Sequence, residues 1–251
     1  MIGRDGDREA TLLRARSSTR SRARSEEAKQ VRRQAILGAA LRLWARSTFD
    51  GFTMSAVARR ARLAKGTLYL YFPTKEALLL ELLEDRLQRW LSKLEARLEG
   101  GGAPRDPDGA AQVIASTLLA DEELVRLLMI LGTILEHNVP EQRIREFKTW
   151  LHGRLAHAGA VVERCLPFLN ALSGVKLLLY LQALVSGLGQ LARPAPAVVR
   201  VLAASEFEAF RLDFETELRL ALAALIRGSA AALPTSRSKR PTGTPGGCHD
   251  D

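Results

Sequence analysis

Apolar residues recur every three or four positions along most of the chain, which is the spacing that places them on one face of an α-helix. The first such stretch runs from about residue 28 to 47. Its apolar stripe consists of Val31, Ala35, Ile36, Ala39, Ala40, Leu43 and Trp44. No stretch alternates apolar and polar residues as a half-buried strand does. The pattern therefore predicts an all-α fold.

Helical periodicity continues after residue 75, interrupted by proline and glycine. The predicted helices cover 75–98, 110–120, 121–138, 140–165, 171–192 and 206–227. Glycine and proline between 100 and 109 predict a flexible linker, and Pro140 is expected at the first position of its helix. Phe210, Phe214, Leu218 and Leu222 follow each other at steps of four, so the last helix is predicted to be continuous, with Gly228 beyond its end.

Between residues 49 and 78 the pattern predicts two short helices joined by a tight turn. Asp50-Gly51 is a turn signal, and Thr53 stands where its hydroxyl would cap the first short helix. The second begins at about Lys65 and directs Leu68 and Phe72 inward. This arrangement is a helix-turn-helix, whose second helix enters the major groove of DNA.

The run Lys65-Gly66-Thr67-Leu68-Tyr69-Leu70-Tyr71-Phe72, followed by Lys75-Glu76-Ala77-Leu78, resembles the DNA-binding domain of the TetR/AcrR family of bacterial transcriptional regulators. The resemblance covers about residues 29–83. It implies a three-helix DNA-binding domain at 28–75, here called the head. It also implies a helical effector-binding and dimerisation domain at 76–228, here called the body.

The resemblance also implies roles for individual residues of the head. The positions expected to face bases or the adjacent DNA backbone are Lys65, Gly66, Thr67 and Tyr69. The positions expected to contact phosphates are Thr53, Ser55, Tyr71 and Lys75. Two residues depart from the family pattern. Arg62 replaces a turn glycine and is expected to adopt a left-handed conformation, and Ala64 replaces a serine cap.

The formal net charge of +9 suits a polyanionic partner such as double-stranded DNA. Arginines crowd residues 1–27, whose polar composition predicts a disordered basic arm. The arm is expected either to add phosphate contacts or to be a solvated tail or the product of a wrongly chosen start codon. Residues 229–251 are predicted to form a disordered tail.

Composition places the protein in the cytoplasm. Its two cysteines, Cys165 and Cys248, lie far apart, which argues against a disulfide framework. The N-terminus lacks the apolar run of a secretory signal. The segment 175–191 contains a lysine and two glutamines, so it is expected to fall short of a membrane span.

The body is expected to form a homodimer and to bind a small, largely apolar effector. Segments 175–191 and 207–226 are the predicted dimer interface, because a helix that is apolar on every side needs partners on every side. Polar and aromatic residues scattered among the apolar helices are the candidate effector contacts: Glu136, His137, Trp150 and Gln182. His152 and His157 are five residues apart, a poor spacing for two metal ligands on one helical face, so neither a metal nor a cofactor is expected.

Enzyme motifs are missing from the sequence, including a nucleophile elbow and a phosphate-binding loop. The resemblance to the TetR/AcrR family implies instead a ligand-responsive repressor that binds a near-palindromic operator as a homodimer and is released by a small molecule. The alternative is an architectural or occlusion protein that has the same head and responds to no effector.

Overall fold

The structure is a computed structural model that describes residues 26–100, 104, 106–169 and 173–231. Most of the predicted arm and tail, residues 1–25 and 232–251, lies outside the described residues. The parts of both that are described, residues 26–27 and 229–231, are helical, so these two boundaries were predicted wrongly.

All regular structure in the described residues is helical, which confirms the predicted fold class. The α-helices are α1 (26–44), α2 (Met54–Arg60), α3 (Lys65–Tyr71), α4 (Lys75–Glu99), α5 (Pro107–Leu119), α6 (Glu122–Ile130), α7 (Glu141–Cys165), α8 (Gly174–Ala192), α9 (Pro196–Leu202) and α10 (Phe214–Ala231). A π-helical turn, Leu131–Leu135, follows α6, and a 3-10 helix, Ser205–Phe210, follows α9.

The head packs α1 against the short pair α2 and α3. Ile36, Trp44, Leu68 and Phe72 are almost fully buried. Val31, however, is 67% exposed. Val31 and Ala35, both predicted to be buried, instead line an open groove beside the turn after α2. The helix pair covers only the later part of α1, which is why the first part of its apolar stripe remains in solvent.

Helix α4 joins the head to the body. Thr74 accepts a hydrogen bond from the backbone N–H of Ala77 at 3.0 Å and so caps its first turn. At 25 residues the helix is about 37 Å long, enough to leave the head and run through the body. It packs against α5, α6 and α7, and α8 packs in turn against α6, α7 and α10.

Three predicted helix starts were wrong, and at two of them, those of α5 and α8, a side-chain cap outweighed the apolar pattern. Helix α5 begins at Pro107, three residues early, since the Asp106 carboxylate accepts from the N–H of Gly109 at 2.8 Å. Helix α8 begins at Gly174, capped by Ser173. Pro140 precedes α7 instead of occupying its first position.

The predicted helix 206–227 is confirmed only from residue 214 onward. The chain forms a 3-10 helix up to Phe210, and α10 starts only at Phe214, after Asp213 accepts from the N–H of Thr216 at 2.9 Å. Phe210 is 65% exposed, so only the later part of the predicted stripe is buried. Gly228 lies inside α10. Helix α9 was missed, and the predicted helix 121–138 is broken by the π-helical turn.

The turn between α2 and α3 is a Schellman motif. The N–H of Leu63 donates to the carbonyl of Ala58 at 2.9 Å, and the N–H of Arg62 donates to that of Arg59 at 3.2 Å. The motif requires a left-handed residue, and Arg62 occupies this position with φ 56°. This conformation agrees with the expectation from the missing turn glycine, and it costs an L-residue about 1–2 kcal/mol.

Arg62→Gly is therefore expected to raise the free energy of unfolding by about 1 kcal/mol, because glycine adopts a positive φ without a steric cost. Urea denaturation of the full chain measures the change. The control is Arg59→Gly, which removes the same charge from a right-handed position in α2 and is expected to destabilise by up to about 1 kcal/mol. A loss of stability in both variants would contradict the account of the turn.

Candidate nucleic-acid interface

Helix α3 is anchored by its inner face and leaves the other face exposed. Leu68 is fully buried, whereas Tyr69 is 42% and Leu70 86% exposed. The Lys65 ammonium lies 5.9 Å from the centre of the Tyr69 ring, so a positive charge and an aromatic face stand side by side on the outer surface. A cation can donate to acceptors on base edges, and an aromatic ring can pack against a thymine methyl group.

At the start of α3 the backbone is accessible to a partner as well as the side chains. A Cβ at Gly66 would meet nothing within 4 Å, so the helix surface there is open to close approach. Ala64 makes no side-chain hydrogen bond to the first turn, as expected from its lack of a hydroxyl. Thr67 is half-buried beside Gly66. The structure thus brings together the four residues predicted to face bases, and their contacts with DNA stay predictions.

The residues predicted to contact phosphates differ in their exposure and in the partners that they already have. Ser55 is exposed, and Thr53 is exposed while its hydroxyl oxygen accepts from the N–H of Ala56 at 3.2 Å, which leaves the hydroxyl hydrogen for an outside acceptor. Tyr71 is half-buried. Lys75 already has partners within the head: its ammonium donates to the Phe49 carbonyl at 3.3 Å and lies 3.7 Å from the centre of the Phe49 ring.

Three arginines next to α3 also contribute positive charge. Arg59, Arg60 and Arg62 are exposed, and no carboxylate of the described residues forms an ion pair with them. By contrast, Arg33 of α1 is bound to Glu81 and stacks at 4.6 Å on the Phe72 ring. The unpaired arginines are suited to phosphates, whereas Arg33 holds α1, α3 and α4 together.

A further functional contact, which the sequence reasoning missed, joins head and body. Arg126 of α6 donates to the carbonyls of Trp44 (3.0 Å) and Ser47 at the end of α1. Its guanidinium lies 4.5 Å from the centre of the Trp44 ring, and the Trp44 indole N–H donates to the Glu123 carbonyl at 3.1 Å. Burial lowers the pKa of Arg126. Because these residues are about 80 positions apart in the chain, no local pattern signals the contact.

The body contains a cavity of about 50 Å³ among α4, α5, α6, α7 and α8. Its lining consists of Leu87, Trp90, Leu118, Leu128, Leu131, Leu151, Leu155, Leu178, Leu179, Leu181 and Gln182. Of the predicted effector contacts, Gln182 alone lies in this lining.

The other three predicted effector contacts lie elsewhere. Glu136 pairs with Lys148 at 2.7 Å, and His137 is exposed. Trp150 stacks on Phe147 with 6.2 Å between ring centres. A role for these three in this cavity therefore has no support in the geometry.

Two further expectations concern metals and membranes. In the described part of the chain, His, Cys, Asp and Glu form no group of three or more that is placed to hold a metal ion. Helix α8 has 19 residues and a mean hydropathy of 1.4, so by length and composition it would pass as a membrane span. The expectation that this segment falls short was wrong on that criterion, which core helices of soluble proteins also meet.

Replacing Lys65 or Tyr69 with alanine is expected to lower affinity for the specific operator by about 5- to 150-fold, the effect of losing one base contact, and to spare the fold. Gel-shift titration with operator and scrambled duplexes measures the loss of preference. Equal weakening on both duplexes would contradict a base-reading role.

One lysine variant, Lys93→Ala, is the control for this prediction, and a second, Lys75→Ala, tests the structural role of Lys75. Lys93→Ala removes the same charge from an exposed site on α4 and is expected to leave operator preference unchanged. Lys75→Ala is expected to lower the free energy of unfolding by about 1 kcal/mol, because the contacts with Phe49 are lost. Unchanged thermal stability of Lys75→Ala would contradict this structural role.

Two family models match the chain and together cover the head and the body. The model described as "Bacterial regulatory proteins, tetR family" matches residues 36–82. The model described as "Tetracyclin repressor-like, C-terminal domain" matches residues 84–232, more than half of the chain.

Curated relatives match over shorter stretches. The HTH-type transcriptional repressor KstR of Rhodococcus jostii is 41% identical over 115 residues, covering 43% of this chain and 51% of KstR. The HTH-type transcriptional regulator RutR of Escherichia coli is 38% identical over 79 residues, covering 32% of this chain and 36% of RutR. The chain thus spans about half or less of these relatives.

Solved structures are similar at low identity. A transcriptional regulator from Rhodococcus sp. RHA1 is 21% identical, with 80% of this chain and 99% of that chain covered and a TM-score of 0.48. Thermus thermophilus FadR, solved in complex with lauroyl-CoA, is 20% identical, with 86% and 100% covered and a TM-score of 0.46. The assignment rests on the two family models: the chain belongs to the TetR family of bacterial regulatory proteins.

Proposed function

We propose that this protein is a ligand-responsive repressor that binds a near-palindromic operator as a homodimer and is released by a small molecule bound in the body. The observation that carries the proposal is the double role of α6. Leu128 of α6 and Leu131 just after it line the cavity, and Arg126 of the same helix holds the end of α1. A change in the cavity therefore has a short physical route to the head.

Two more contacts support this route. Arg86 of α4 pairs with Asp121 at 2.6 Å, and Asp121 also caps α6 through the N–H of Leu124 at 3.0 Å. An occupant that displaces Leu128 or Leu131 would shift α6 and, through Arg126, the angle between head and body. Release from the operator requires the ligand to bind the shifted conformation better than the DNA-bound one.

Dimerisation is supported by two outward apolar stripes on the body. On α8 the exposed residues Tyr180, Ala183, Gly187 and Leu191 share one face, and on α10 the exposed residues Leu220, Ala224 and Gly228 follow at steps of four. A Cβ on Gly187 or Gly228 would meet nothing within 4 Å, so each stripe leaves room for a second chain. Two helices from each protomer would form a four-helix interface that buries both stripes.

The sign of regulation and the place of action are inferred from the relatives. KstR, which matches this chain over 115 residues, is named a transcriptional repressor. A dimer with two heads would occupy successive major grooves and exclude other proteins from the operator. We infer action in the cytoplasm, and the proposal assigns no catalytic step to the chain.

The architectural alternative is favoured by the size of the cavity. An engineered cavity of about 150 Å³ accepts benzene, whereas this cavity measures about 50 Å³. An effector larger than a few atoms must therefore push side chains aside. A protein whose body never opens would bind DNA without responding to a ligand.

Leu220→Glu is expected to give a folded monomer, because the side chain is 56% exposed in a single chain but would be buried beside its copy in the dimer. The matched control is Val201→Glu on α9, where a valine that is 57% exposed lies outside both stripes. Light scattering after size exclusion gives the masses. A dimeric Leu220→Glu protein would place the interface elsewhere.

The effector response is tested by a thermal-shift screen, followed by operator titration with and without each compound that binds. A true effector is expected to weaken operator binding by about 5- to 150-fold, and saturating operator must weaken effector binding by the same factor. Arg126→Met is expected to retain effector binding and to lose most of this coupling. Compounds that bind without changing operator affinity would favour the architectural alternative.

A further inference from the structure

The amide of Gln182 is held in one orientation by the end of α6. Its Nε2 donates to the Leu128 carbonyl at 2.9 Å and to Ser186 Oγ at 3.0 Å. Ser186 Oγ donates to the same carbonyl at 3.2 Å. Reversing the amide would set its oxygen against the Leu128 carbonyl, two acceptors facing each other, so the hydrogen bonds fix which end of the amide points where.

The other end of this amide has no partner. Gln182 Oε1 is buried and accepts no hydrogen bond from any described residue. A buried acceptor without a donor destabilises a protein, so most such groups in native structures are paired. Because Gln182 lines the cavity, an occupant of the cavity is the natural donor.

No other side chain of the lining offers a free polar group to an occupant of the cavity. Ten of the eleven lining residues are leucine or tryptophan. The one other side-chain polar group is the Trp90 indole N–H, which already donates to Thr117 Oγ1 at 3.3 Å. The cavity thus combines an apolar wall with a single free acceptor, the pattern by which a site fixes the orientation of a small ligand.

The backbone beside this acceptor departs from a regular α-helix. After α6 the chain widens into the π-helical turn Leu131–Leu135, where the Glu136 N–H donates to the carbonyl of Leu131, five residues back, at 3.2 Å. Single π-helical turns inside helical segments are frequent at functional sites. Gln182 therefore lies between the cavity and the irregular end of the helix that holds the head.

We propose that the ligand of this cavity is an apolar molecule with one hydrogen-bond donor, a hydroxyl or an N–H, which Gln182 Oε1 accepts. The inference rests on the proposed function in taking this cavity as the effector site. Leu179 lines the cavity and is 48% exposed, so one wall reaches the protein surface. Displacement of Leu179 provides the room that a ring-sized ligand needs beyond about 50 Å³.

The test uses three bicyclic probes of similar size on the DNA-free full-length protein: indole carries one N–H donor, benzothiophene carries no donor, and 1-indanone carries an acceptor only. Isothermal titration calorimetry measures their affinities. Indole is expected to bind about 10-fold more tightly than benzothiophene, since it alone satisfies the buried acceptor. The ketone is expected to bind no better than benzothiophene.

Two variants identify the residue responsible. Gln182→Met retains the size of the side chain and removes the acceptor, so the ratio of the indole and benzothiophene affinities is expected to fall to about 1 while benzothiophene still binds. Ser186→Ala is the matched control, because it alters the same hydrogen-bond network but retains Gln182 Oε1 and the Nε2 bond to Leu128. Its indole preference is expected to persist.

Equal affinities in the wild-type protein, a preference for 1-indanone, or a preference that survives Gln182→Met would each overturn the inference. Binding of none of the probes at millimolar concentration would also overturn it, because a site for this ligand class must admit its smaller members. Operator titration is a separate readout. A donor preference at Gln182 without any change in operator affinity would support the ligand class and count against the effector role.

Discussion

The contact on which the regulatory geometry depends is the Arg126 guanidinium at the end of α1. The guanidinium donates to the carbonyl of Trp44, the last residue of α1, and to that of Ser47, three residues beyond it, so one planar fork holds the chain where it leaves the helix. Arginine suits this position because its donors diverge in a plane and its face stacks on the Trp44 ring. The orientation of the DNA-binding head is thereby tied to α6.

The same helix ends at the cavity of the body. Five helices line it: α4, α5, α7, α8 and the last turn of α6, which continues into the π-helical turn. The Leu128 carbonyl receives two side-chain donors from α8, so α6 is held at one end by the head and at the other by the cavity wall. Under the proposed function, α6 would carry a change in the cavity to the head.

The outer face of the body carries apolar residues that a single chain leaves exposed. Helix α8 is apolar on nearly all sides, yet only 28% of its most apolar window is buried in a single chain. The inner residues contact α6, α7 and α10, and the outer ones remain in water. Exposed apolar stripes favour association, which is why the proposed dimer covers them with a second copy of the chain.

The sequence alone determined the fold class, the helix-turn-helix and the start of α3, because local spacing, turn residues and caps act over a few positions. The family resemblance, which puts a turn glycine at this position, also predicted the left-handed conformation of Arg62, and the structure confirms it. Only the tertiary structure decided which apolar residues are covered: Val31 and Phe210 lie on predicted stripes, yet they are 67% and 65% exposed. Likewise, Arg126 reaches Trp44 and Gln182 reaches Leu128 across 82 and 54 residues. Such contacts follow from how helices dock, and no local pattern encodes them.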